Sequence, residues 1–113
     1  MNIFFKRLSL IIVSPLLTTL LFAQSVDEGK KIHIEYVSSK STYGESVTSY
    51  NLLYKAYSNY MQVLNSSSSS AFEKSQCQEE LVRIFDDICK AVYYFDRKDP
   101  NRQRQFMTAY ADI

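Results

Sequence analysis

The chain has 113 residues, 13 basic and 12 acidic, and a formal net charge of +1, so it carries no electrostatic footprint for nucleic acid or an anionic lipid surface. A single histidine excludes any catalytic triad or zinc site built on several histidines. Nine tyrosines and no tryptophan are a high aromatic load for so small a chain, and they fall mostly on its helical segments.

Met1 to Ala23 reads as a secretory signal. Lys6 and Arg7 form the positive start, and Leu8 to Phe22 is an apolar run broken only by Ser14, Pro15, Thr18 and Thr19. The run falls short of the roughly 20 unbroken apolar residues of a membrane span. Ala23 is the expected cleavage residue, although Leu21 stands where a small residue is preferred; an uncleaved anchor is the alternative. No cysteine follows the run, which argues against a lipid-anchored lipoprotein. Loss of Lys6 and Arg7 leaves 11 basic against 12 acidic residues, a net charge of −1 on the 90 residues from Gln24 onward. Ninety residues allow one small domain with a modest core.

Residues 24–41 are the least legible. Ser25 and Glu28 have capping-box spacing, and Val26, His33, Tyr36 and Val37 suit one face of a helix. Ile32, Ile34 and Tyr36 alternate as a strand would, and Gly29 disfavours helix. A short helix is the reading adopted.

The helical domain is expected over 42–113. Thr42 with Glu45 forms the next capping-box pattern. Beyond it Val47, Tyr50, Tyr54, Tyr57, Met61 and Leu64 recur at steps of three and four, with Leu53 and Tyr60 beside them, which predicts a helix over about 43–65. The serines at 66–70 form a short flexible connector, so the flanking helices can fold back antiparallel. Ser70 and Glu73 again have capping-box spacing. Leu81, Ile84, Phe85, Ile88, Val92 and Phe95 then make a helical stripe that Phe72 and Cys77 extend backwards, over 71–95. Asp99 suits an N-cap and Pro100 the first helical position, and Phe106, Tyr110 and Ile113 line the last helix, 100–113. The expected fold is all-α: antiparallel helical hairpins, three to four helices after the signal.

The last hairpin resembles a degenerate tetratricopeptide repeat, a helix–turn–helix unit of about 34 residues. With one extra residue in the turn, Phe85, Ile88, Cys89 and Val92 match the pattern of the first helix, and Phe106 and Ala109 that of the second. Arg102 stands where a small residue belongs, Val92 replaces an aromatic, and the family's glycine and closing proline are missing. The segments IFDDICKAVYYF and FMTAYADI are also similar to N-terminal parts of exported bacterial repeat proteins. The resemblance covers the last third of the chain and implies a docking or scaffold role without chemistry of its own.

The residues that could carry chemistry are few. His33 lacks partners for a ligand or acid–base role and reads as a surface or packing residue. Cys77 and Cys89, on one continuous helix, would lie roughly 18 Å apart, beyond disulfide reach; two buried thiols are expected, with bonding elsewhere or a mutual bridge as alternatives. Glu79, Glu80, Asp86 and Asp87 interleave with basic residues and suit a solvated helix face. Asn65-Ser66-Ser67 fits a glycosylation acceptor, of use only in a eukaryotic secretory route. No catalytic, cofactor or metal site is expected.

The candidate interaction surface is aromatic: Tyr50, Tyr54, Tyr57, Tyr60, Tyr93, Tyr94, Phe106 and Tyr110. The alternative for these rings is burial with a wet hydroxyl. The last stripe runs to Ile113 without a C-terminal capping residue, which leads to the expectation of further repeats beyond it and an apolar face around Tyr93, Phe106 and Tyr110. Three functions are weighed. The first is an exported, non-enzymatic protein–protein interaction module, the N-terminal part of a helical-repeat scaffold, whose partner is another protein or further repeats. The second is a small periplasmic inhibitor or immunity-type protein. The third is an enzyme, which would need Glu79 or Asp86 buried in a cleft beside Cys77 or Cys89. The expected location is periplasmic or extracellular, with no membrane contact once the signal is cleaved.

Overall fold

The computed structural model describes residues 25–113, so the signal reading over Met1 to Ala23 lies outside them. The described residues form four helices and no strand: α1 Val26–Tyr43, α2 Val47–Asn65, α3 Ala71–Tyr94 and α4 Pro100–Asp112.

Each helix starts on a small polar side chain that satisfies an otherwise free backbone N–H. Ser25 accepts from the Glu28 N–H at 3.0 Å and Ser46 from the Ser49 N–H at 3.1 Å. Ser70 accepts from the Glu73 N–H, and Glu73 Oε1 accepts from the Ser70 N–H at 2.8 Å, a complete capping box. Asp99 accepts from the Arg102 N–H with Pro100 in the first turn. Those backbone bonds, and the Arg102 guanidinium 2.7 Å away, hold the Asp99 carboxyl below its usual range.

Two expectations at the α1–α2 junction are corrected. Thr42 caps nothing: α1 is not short but runs 18 residues through Tyr43, and Thr42 lies inside its last turn. Gly44 closes α1 with φ +74°, a left-handed conformation that glycine adopts without penalty, and its N–H bonds the Lys40 carbonyl at 2.8 Å. Glu45 is thereby released from capping and accepts instead from the Tyr50 hydroxyl at 2.6 Å. Gly29, a helix breaker by propensity, sits buried within α1. A Cβ there would lie 2.3 Å from a ring carbon of Tyr60, so the missing side chain is what lets α1 and α2 approach.

Short connections make each helix pack on its sequence neighbours, α1 on α2, α2 on α3 and α3 on α4, with α1 also touching α3. Ile32, Leu53, Ala56, Val63, Leu81, Ile84, Ile88 and Ala91 fill the spaces between them. Tyr50 is the centre of the aromatic part of the core, its ring 6.1 Å from Tyr36, 5.2 Å from Tyr94, 5.9 Å from Phe95 and 6.1 Å from Phe106, and so it joins all four helices. The stripe on α3 enters the core only from Cys77. Phe72 is 71% exposed, because five residues from Cys77 place it about 140° round the helix.

Candidate functional site

Two places gather side chains that could engage a ligand, one polar and interior, the other apolar and open. The polar one forms where the α1–α2 turn meets α3. Lys40 Nζ lies 3.6 Å from the Asp87 carboxylate and about 6 Å from the ring centroids of both Tyr36 and Tyr50, an ion pair combined with a cation–π arrangement. Burial, and then the carboxylates of Asp87 and Glu45, push the Tyr36 phenol far above its ordinary range. Burial and the hydrogen bond to Glu45 do the same to Tyr50. Neither hydroxyl ionises near neutral pH, so neither can serve as a base. The Tyr36 hydroxyl is buried beside Asp87 without a partner in hydrogen-bonding geometry. The cluster ties α1 and α2 to α3; its one cation is taken by its own carboxylate.

Tyr60 carries a second buried hydroxyl without a partner, and burial ahead of the Glu80 and Cys77 charges raises its pKa. An unsatisfied buried hydroxyl costs about 1–3 kcal/mol of desolvation. Tyr60→Phe is therefore expected to raise the free energy of unfolding by about 1 kcal/mol in urea denaturation; a loss would reveal a hydrogen bond made by that oxygen.

The remaining reactive groups are scattered. Cys77 is fully buried, and burial with the Glu73 and Glu80 charges raises its pKa and keeps it a thiol. Cys89 is only half-buried, so the expectation of two buried thiols holds for Cys77 alone; both cysteines are free. His33 stacks on Tyr36 with centroids 6.0 Å apart and planes 12° apart. Glu79 is exposed, and Asp86 is exposed and paired with Lys90 at 3.3 Å. Among the described residues no three His, Cys, Asp or Glu side chains converge as a metal site would require.

The open place is a groove of about 320 Å³ between α3 and α4, lined by Cys89, Val92, Tyr93, Met107 and Tyr110. α3 turns Ile84, Ile88 and Ala91 inward, and α4 turns Phe106 and Ala109 inward. Both helices carry apolar side chains on their outer faces as well. Tyr93 is 81% exposed, Met107 52% and Tyr110 47%; Tyr110 is steadied by stacking on Phe85, centroids 4.7 Å and planes 25° apart.

The eight aromatic residues of the expected surface divide sharply. Tyr50, Tyr60 and Phe106 are fully buried and Tyr57 nearly so, its hydroxyl donating to Asp112 at 2.8 Å; these four belong to the core and leave the surface. The wide α2 stripe is sandwiched between α1 and α3, which is why its tyrosines are covered. Tyr54 and Tyr94 are half-buried, Tyr54 edge-on to Phe106 and Tyr94 beneath Lys98 at 4.8 Å. Only Tyr93 and Tyr110 stand in the groove. Cys89, Val92 and Met107 were absent from the expected surface. Their signal is present in the sequence: Val82, Phe85, Cys89 and Val92 recur at steps of three and four, a second stripe beside the inward one on α3. Comparison with protein-family models, with curated proteins and with solved structures found no match to this chain.

Proposed function

We propose that this protein is an exported, non-enzymatic protein–protein interaction module whose α3–α4 face receives an amphipathic helix, in the manner of one segment of a helical-repeat scaffold. The observation that carries the reading is the groove of exposed Tyr93, Met107 and Tyr110 on the second hairpin. The first hairpin supports it by analogy, since α3 packs along α2 and touches α1, turning Leu81, Ile84, Ile88 and Ala91 toward them. The second hairpin offers the same kind of seat one unit further on. Aromatic and methionine side chains at a concave, mostly apolar surface are the residue types enriched where proteins meet. The tetratricopeptide resemblance of Phe85, Ile88, Cys89, Val92, Phe106 and Ala109 agrees with this reading, as does the apolar N-terminal run with its Lys6-Arg7 start.

The test places a photo-activatable amino acid at position 93, and as a control at exposed Lys55 on α2, in cells that export the chain. A discrete adduct is expected from position 93, absent from position 55 and abolished by Met107→Glu. Equal labelling from both positions, or none, would overturn the docking reading. The rival reading, a small inhibitor of a secreted enzyme, draws support from a core that Phe95 and Phe106 close without help from another chain. It requires that the cross-linked partner be an enzyme whose activity the purified chain lowers.

A further inference from the structure

The borders of the α3–α4 groove carry information about what can cover it. Along the outer side of α3 lie Val82, Cys89 and Tyr93, with Val82 69% and Tyr93 81% exposed. α4 forms one border of this strip, where Tyr110 stacks on Phe85 and the Gln103 side chain bonds the Val92 carbonyl. Asp86 and Lys90, both exposed and 3.3 Å apart, mark the border away from α4. They are opposite charges one helical turn apart, and the residue midway between them is Ile88. Since α4 runs antiparallel to α3, the Phe85–Tyr110 and Val92–Gln103 contacts bring Met107 level with Ile88. The middle of the charge pair, exposed Met107 and half-buried Cys89 thus share one level, halfway between Val82 and Tyr93.

We infer that a second copy of this chain covers the groove across a two-fold axis at that level, α3 lying antiparallel to α3 and α4 to α4. The inference rests on the docking reading for the groove and names the occupant. Charge complementarity selects it. In an antiparallel contact across a two-fold axis, each flank of a helix meets the same flank of its mate. Asp86 therefore faces Lys90 of the second copy, and Lys90 faces its Asp86, so that two existing ion pairs merge into an alternating cluster of four charges. Sliding one copy along the other by a helical turn would set Asp86 against Asp86 or Lys90 against Lys90, so the charges also fix the register. The apolar side chains agree with the same axis. Met107 meets Met107, Cys89 lies beside Cys89, and the projecting Tyr93 ring of each copy reaches Val82 of the other, just outside the groove. Because one face serves both copies, the contact is isologous and closes at a dimer.

The full chain, purified in the form in which it accumulates in the cell, is followed by sedimentation velocity over roughly 10 µM to 1 mM, the range in which small interfaces associate. The mass is expected to rise with concentration and stop at a dimer. Asp86→Lys sets lysines against lysines across the axis, and Lys90→Asp sets carboxylates against carboxylates. Each variant alone should dimerise about tenfold or more weakly than the parent, since the charge pair is repeated across the axis and each exposed pair contributes up to about 1 kcal/mol. An equimolar mixture of the two should form a one-to-one pair, and the double variant Asp86→Lys/Lys90→Asp should dimerise like the parent, which also shows that these exposed positions tolerate the change. Met107→Glu places two carboxylates at the axis and should leave a monomer with the circular dichroism of the parent. Oxidation of the parent with diamide should give a dimer linked through Cys89, absent in Cys89→Ser, because Cys77 is fully buried. A parent that stays monomeric, growth past a dimer, or charge variants that do not pair with each other overturn the inference. So does a dimer that survives Met107→Glu. If copies fail to associate while position 93 still cross-links to a different protein, the second copy is excluded and the docking reading stands; if neither occurs, both fall.

Discussion

Phe106→Ala is expected to lower the free energy of unfolding by about 3–5 kcal/mol, the cost of emptying a buried aromatic site. Phe106 is 1% exposed, and its ring meets Tyr50 at 6.1 Å, Tyr54 at 5.4 Å and Phe95 at 5.7 Å, so it is the main tie between the short helix α4 and both α2 and α3. Few other groups hold α4. They include the buried Ala109, the stacking of Tyr110 on Phe85, the Tyr57–Asp112 hydrogen bond and the 3.1 Å bond from the Gln103 side chain to the Val92 carbonyl. A domain of this size commonly has only about 5–15 kcal/mol in total, so the loss is a large fraction of the whole and the urea midpoint should fall steeply. Far-ultraviolet circular dichroism in a urea titration measures this. Tyr93→Ala, at a ring of the same class four-fifths in solvent, should stay within about 0.5 kcal/mol of the parent. Similar losses for both would mean that the groove is not an open surface.

The second large effect concerns a glycine that helix propensity would replace. In an exposed helix interior Gly→Ala stabilises by about 1 kcal/mol. At Gly29 the added Cβ would lie 2.3 Å from the Tyr60 ring, which is itself fully buried between α1 and α2 and has no free space to retreat into. Overpacking of this kind costs about 1–3 kcal/mol. The Asn59 side chain also bonds the Ser25 carbonyl at 2.6 Å, one turn away, so a shift of α1 would strain that bond too. Gly29→Ala is therefore expected to destabilise, visible as a lower thermal midpoint. In a Tyr60→Leu background, where the ring is gone, the same substitution should reverse sign and stabilise. A double-mutant cycle reads that reversal directly. Its absence would show that Gly29 is tolerated for a reason other than contact with Tyr60.

Why some of these features could be read in advance and others could not comes down to range. The cap of α3 is written in Ser70 and Glu73, three residues apart, and that of α4 in Asp99 and Pro100, adjacent; each works through backbone groups within one turn. The inward stripes of α2 and α3 follow in the main from a period of 3.6, as Tyr50, Leu53, Tyr57, Tyr60, Leu81, Ile84 and Ile88 are buried, but Val47 and Phe72, which the same period placed on them, stand exposed. The α1–α2 junction misled because Thr42-Glu45 and Ser46 both offer capping chemistry, and Gly44 decides between them by taking the one backbone conformation that ends α1. The aromatic surface misled for a different reason. Tyr50, Tyr57, Tyr60, Tyr93 and Tyr94 are chemically alike, and nothing within one turn of any of them says which ring will be covered.

The four-residue rows that build helices and the small polar residues that start them were properties of the sequence itself, because each depends on neighbours along the chain. Only the tertiary structure decided that Tyr50 is the hub of the core while Tyr93 stands in solvent, and that Gly29 is a contact with Tyr60 31 residues away. It also decided that Lys40 pairs with Asp87, 47 positions on. The physical reason is that exposure and close approach are set by which helix lies opposite. α2 is covered on two sides by α1 and α3, whereas among the described residues no helix lies against the outer faces of α1 and of the α3–α4 hairpin.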